Sequence, residues 1–99
     1  MKHFIIDIIF KVPFEKVEPI VPEHRAFLQI GYNKGLLLFS GPKIPREGGI
    51  VAARAESFEE IKAFFENDPY ALSNVADHKI IEFNPVKFQE FAKNWVEGK

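Results

Sequence analysis

A histidine and an aspartate in this chain are the residue types of an acid–base pair. His24 lies in Pro22-Glu23-His24-Arg25-Ala26-Phe27-Leu28, within a helical pattern, and Asp68 opens Asp68-Pro69-Tyr70 at the end of another. Imidazole exchanges a proton near neutral pH, and a carboxylate bonded to one ring nitrogen fixes which nitrogen is free to act. If the fold brings the two side chains together beside a pocket, His24 can take a proton from an acidic carbon or hydroxyl and return it elsewhere. Ser40, in Ser40-Gly41-Pro42, and Tyr70 offer hydroxyls to a ligand. With Arg54 they are the candidates for stabilising a developing oxyanion.

Each of these residues also has an ordinary structural role. On a helical wheel of about 100° per residue, Val17, Ile20, Val21, His24, Phe27, Leu28, Gly31 and Tyr32 share an arc of about 140° with His24 near its centre. That points His24 inward, where a core histidine needs only one hydrogen-bond partner. Asp before Pro is common turn chemistry, because its carboxylate bonds nearby backbone. Ser40 can shape a turn, and Tyr70 can simply pack its ring. Both readings of each residue stand until their positions are known.

Composition narrows the function. Ninety-nine residues make one domain, 1–99, which buries roughly 65% of the surface of its unfolded chain. Eleven Phe and 46% hydrophobic residues argue for a packed core rather than disorder. The net charge is −1 with no basic cluster, so nucleic acid is not an expected partner. There is no Cys, which excludes thiol catalysis and thiolate zinc, and His3 and His78 have no metal-ligand spacing with His24. No metal or cofactor site is therefore expected. Gly48-Gly49 lacks the phosphate-cradle pattern and no Gly-x-Ser-x-Gly is present. No apolar run is long enough to span a bilayer, and the N-terminus has no secretory pattern, so the expectation is a soluble cytoplasmic protein.

The elements that must position the pair follow from hydrophobic period and turn residues. Phe4 to Val12 reads as a strand with an apolar face, Phe4, Ile6, Ile8, Phe10 and Val12, and a mixed face, Ile5, Asp7, Ile9 and Lys11. A helix follows to about Lys34, irregular at Pro19 and Pro22 and stopped by Gly35. Leu36 to Gly41 and Ile50 to Ala55 read as strands around a Pro- and Gly-containing loop. Ser57-Phe58-Glu59-Glu60 is a capping box opening a helix whose inner side is Phe58, Ile61, Phe64 and Phe65. Asp77 to Phe83 is a fourth strand. Phe88, Phe91, Ala92, Trp95 and Val96 recur at helical spacing, which predicts an amphipathic terminal helix within a C-terminal extension, 84–99. The order is βαββαβ plus a final helix, an α+β, ferredoxin-like arrangement with one sheet face left open for a second copy.

Three segments, Pro22 to Leu28, Gly35 to Pro42 and Asp68-Pro69-Tyr70, resemble in order and spacing those of the YCII-related (YciI-like) family over about residues 4–84. The resemblance implies a dimeric α/β barrel, a homodimer of ferredoxin-like subunits whose sheets close on each other. It implies an active site built on a His–Asp dyad, here His24 and Asp68, with Ser40 nearby. Some relatives perform cofactor-free dehydrohalogenation on ring compounds, and muconolactone isomerases have a similar barrel. Two positions depart from the expected pattern. Asn74 stands where Gly is common, and Asn tolerates the left-handed turn. Asp7 adds a carboxylate to the first strand, expected in the cleft. The reading is a cofactor-free enzyme transferring protons, by isomerisation or elimination, on a small and possibly cyclic organic substrate bound by Ser40 and Tyr70. The alternative is a non-catalytic dimeric ligand-binding or interaction module with a structural His–Asp hydrogen bond.

Overall fold

The computed structural model describes residues 1–99. Four strands, β1 (Lys2–Phe10), β2 (Leu37–Pro42), β3 (Gly48–Ala55) and β4 (Ala76–Phe83), form one antiparallel sheet in the order β2-β3-β1-β4. Helices α1 (Phe14–Val17) and α2 (Val21–Asn33) connect β1 to β2. Helices α3 (Phe58–Phe65) and α4 (Pro69–Leu72) connect β3 to β4, and α5 (Lys93–Val96) ends the chain. The fold is α+β and ferredoxin-like. None of these helices is long and apolar enough to cross a membrane.

Strand alternation sets the core. Phe4, Ile6 and Ile8 are almost wholly buried and meet Val51, Ala53 and Ala55 of β3 and Val17, Leu28, Ile61 and Phe65 of the helical layer. β1 lies two residues earlier than its apolar run suggests. Lys2 already pairs with Ala55, and Pro13 ends regular pairing by fixing its own backbone and restricting Val12. α2 starts with Pro22 in its first turn, where a missing N–H costs nothing. It stops at Gly35, whose φ of 75° lets the Leu36 N–H reach back to the Gly31 carbonyl at 2.9 Å. Ser57 caps α3, accepting from the Glu60 N–H at 3.1 Å, and Glu60 returns to the Glu56 N–H at 2.8 Å. Asn74 takes the left-handed turn before β4, at φ 55°.

The C-terminal segment departs from the expected single amphipathic helix. It forms a 3₁₀ turn, Glu90–Ala92, and the single-turn α5. Phe91 is 87% exposed and Phe88 also faces outward, so of the stripe only Ala92, Trp95 and Val96 are half-buried. Helical spacing of aromatics needs an apolar surface to receive them, and this segment meets the polar end of the sheet instead. The His3 ring bonds the Val96 carbonyl at 2.9 Å, and the Arg54 guanidinium lies 4.0 Å from the centre of the Trp95 ring.

The β1–β3 junction depends on Gly48. A Cβ there would fall 1.8 Å from the Ile8 carbonyl oxygen, which is backbone and cannot swing away. Gly48→Ala must therefore push the two central strands apart, at a cost expected near 3 kcal/mol, the upper end for overpacking. Thermal denaturation checks this: an unchanged melting temperature would show that the strands absorb the methyl group.

Candidate active site

His24 reaches the interior because it shares the buried stripe of α2 with Val21, Leu28 and Gly31. Asp68 is the residue before α4, in extended conformation, with Pro69 beginning the helix behind it. Its Oδ1 accepts the Tyr70 N–H at 3.0 Å, the local cap expected of Asp-Pro. The same oxygen lies 2.8 Å from His24 Nδ1. The turn role and the histidine contact therefore coexist in one carboxylate. The second oxygen, Oδ2, lies 2.7 Å from Nε2 of His78 on β4. Asp68 is fully buried between the two rings.

Burial by itself pushes the Asp68 carboxyl up. The hydrogen bonds from His24 and His78, the charge of His24 and the Tyr70 N–H together outweigh it and hold the group below its ordinary 3.8. An ionised carboxylate only accepts, so His24 Nδ1 and His78 Nε2 each carry their proton toward it. In the neutral form of the His24 ring, the nitrogen free to accept a proton is then Nε2. The Tyr70 ring stacks on His24 at 3.8 Å between centroids and 6° between planes, which fixes the imidazole orientation. The Tyr70 phenol is pushed above 10.0, first by burial and then by the Asp68 charge, so it stays an O–H donor.

His24, Tyr70 and Ser40 line one cavity of about 220 Å³, walled by Ile8, Val21, Leu28 and Val51. Asp68 stands behind His24 and does not line it. Ser40 Oγ is 2.7 Å from the Tyr32 hydroxyl, which holds it from α2. His78 lines a separate cavity of about 220 Å³, with Phe58, Phe65 and Ile80. The carboxylate thus joins two histidines that belong to different cavities.

Two expected positions differ. Arg54 is not in the cavity. It points from the opposite sheet face, donating to the Gly35 carbonyl at 2.9 Å and the Trp95 carbonyl at 2.8 Å, and so supplies no oxyanion donor. Asp7 is not in the cavity either, because strand alternation puts it on the face away from Ile6 and Ile8, where it pairs with Lys43 at 2.6 Å. Metal-ligand spacing does not reveal His78 as a partner of Asp68. The alternation of Ala76, His78 and Ile80 on β4 would have placed it beneath the helices.

A small ferredoxin-like α+β domain with a histidine-bonded carboxylate beside a pocket is the class of protein that fold and site define. The chain belongs to the YCII-related family: the model of the YCII-related domain matches residues 1–84. The last fifteen residues, including α5, lie outside that match. Among solved structures it is similar to the 5-chloro-2-hydroxyhydroquinone dehydrochlorinase TftG from Burkholderia phenoliruptrix AC1100, in complex with 2,5-dihydroxybenzoquinone. The two share 21% sequence identity with a TM-score of 0.68, over 88% of this chain and 93% of that one, a likeness of fold. No curated protein matches the chain.

Proposed function

We propose that this protein is a cofactor-free enzyme that moves a proton on a small organic substrate, with His24 as general base and Asp68 as the residue that positions it. The observation that carries this reading is the 2.8 Å bond from His24 Nδ1 to a buried carboxylate, on a ring that lines a cavity. His24 Nε2 removes a proton from an acidic carbon. The electron pair left behind either expels a leaving group on the neighbouring carbon or delocalises and takes the proton back at another atom. The first is elimination and the second isomerisation, and neither needs a further reactant. Ser40 and Tyr70 are the substrate-binding hydroxyls, and Tyr70 stays protonated to donate to the oxyanion that forms. The name of the structurally similar dehydrochlorinase fits the elimination branch. The active unit in this reading is a homodimer closed through the open sheet faces.

The test is turnover of chlorinated hydroxyquinols and unsaturated lactones by the wild type and His24→Gln. The variant is expected to keep its fold and lose a factor of about 10²–10⁴ in turnover, the usual contribution of a positioned base. If the wild type binds such compounds and converts none, the His24–Asp68 bond belongs to a ligand-binding module instead.

A further inference from the structure

The cavity beside His24 has a charge asymmetry that proton transfer alone does not use. Two of its fifteen lining residues are arginines, Arg25 and Arg46, and none is Asp or Glu. Arg25 follows His24 on α2, and Arg46 lies in the connection between β2 and β3, so the two guanidinium groups come from separate walls. Neither takes part in an ion pair, whereas Lys11, Lys43, Lys62 and Lys99 each have a carboxylate within 4 Å. Arg46 rests 4.4 Å from the centre of the Phe14 ring, a contact that places the guanidinium without neutralising it. Both arginines act on the Tyr70 hydroxyl, favouring its ionised form against burial and Asp68. Their field therefore reaches the interior where a substrate would lie.

We propose that the cavity takes a single-ring organic carboxylate, its charged group held by Arg46 and Arg25 and its ring laid against Ile8, Val21 and Leu28 beside His24. A planar guanidinium offers paired N–H donors that match the two oxygens of a carboxylate, which a neutral ring cannot return. Ile8, Val21, Leu28 and Val51 give the interior an apolar side and both arginines are exposed, so the charge is taken at the rim and the carbon skeleton inside. A volume of about 220 Å³ is small for a ligand site and suits one ring rather than a nucleotide. This proposal deepens the catalytic reading only in sharing its cavity, since it concerns equilibrium binding.

The experiment is a titration of the intact protein with benzoate, benzamide and benzylamine, followed by amide chemical shifts and calorimetry. Benzoate is expected to bind saturably at millimolar concentrations or below and to shift Ser40, Gly48, Gly49 and Tyr70. Benzamide, nearly the same shape, is expected to bind about tenfold more weakly, a difference of about 1.4 kcal/mol, and benzylamine not at all. Both arginines are exposed, so Arg46→Gln and Arg25→Gln are expected to fold normally. Each should lose about tenfold in benzoate affinity and leave benzamide unchanged, with Arg46→Lys recovering part of the loss. Equal binding of benzoate and benzamide, benzoate affinity indifferent to both Gln variants, or no saturable benzoate binding would each overturn the proposal. A failed proton-transfer reading looks different: benzoate would still bind through the arginines, while no compound would turn over.

Discussion

Asp68→Ala is expected to cost about 3–5 kcal/mol of folding stability, the range for removing one member of a buried charged network. Three donors converge on this fully buried carboxylate: His24 Nδ1, His78 Nε2 and the Tyr70 N–H. Alanine leaves all three without an acceptor in a space too enclosed to be rehydrated freely, and it removes the cap of α4 as well. Asp68→Asn should behave quite differently. Its carbonyl oxygen can still accept from His24 and Tyr70, and its amide can donate to His78 once that ring moves its proton to the other nitrogen. The amide variant is therefore expected to lose only about 1–2 kcal/mol, mainly the charge-assisted part of the bonds. Urea denaturation of the three proteins at neutral pH decides it. An alanine variant within 1 kcal/mol of the wild type would mean that the histidines find other partners, and the network is not the structural centre described here.

The same carboxylate gives a pH signature. Its pKa is lowered in the folded protein relative to 3.8, so the unfolded chain binds the proton more readily. The stability this supplies is complete above 3.8 and is lost as pH falls from there through the folded value. Below pH 4 the wild type should thus lose stability more steeply than Asp68→Asn, and the two curves should converge. Parallel curves would show that Asp68 is not held ionised by its neighbours.

How much of the fold and site is legible in the sequence depends on the range of the interaction. The inner face of β1 follows from alternation, and α3 from Ser57 and its apolar stripe, because both are decided within a few residues. The inward direction of His24 also follows from its own helix. Its contact with Asp68 spans 44 positions, and no periodicity reaches that far. Only the order of three short motifs suggested that the two would share a region. The role of His78 is hidden in the sequence for a related reason: it exists only once β4 is laid beside α4. The Phe88–Val96 stripe misled in the opposite way. Spacing specifies which residues would face a surface, not that an apolar surface exists, and here the sheet end presents His3 and Arg54.

Ile81→Glu is expected to convert a dimer into a folded monomer, which tests the proposed pairing through the open sheet face. The register places Phe39, Ala52, Ile5 and Ile81 opposite one another, so one apolar row crosses all four strands on the side away from the helices. Ile81 is 42% exposed and Phe39 60% exposed, and Ile9 is also open. The C-terminal segment covers only the end of this face at His3 and Arg54. A row of apolar side chains left in water costs about 25 cal/mol for each Å² that a partner would remove. A stable interface needs about 800 Å² from each partner. A sheet face of four strands supplies that scale of surface, whereas an isolated edge does not. A glutamate at position 81 would have to be buried without a countercharge in the dimer, but would meet only water in the monomer. Sedimentation at micromolar concentration should therefore show the wild type at twice the chain mass of 11.4 kDa and the variant at once that mass. The variant's circular dichroism should keep the α+β signature, because Ile81 contributes nothing to the buried core. A wild-type monomer would remove the pairing altogether. A dimeric Ile81→Glu would move the interface off this row, and the open face would then owe its apolar character to something other than a second copy.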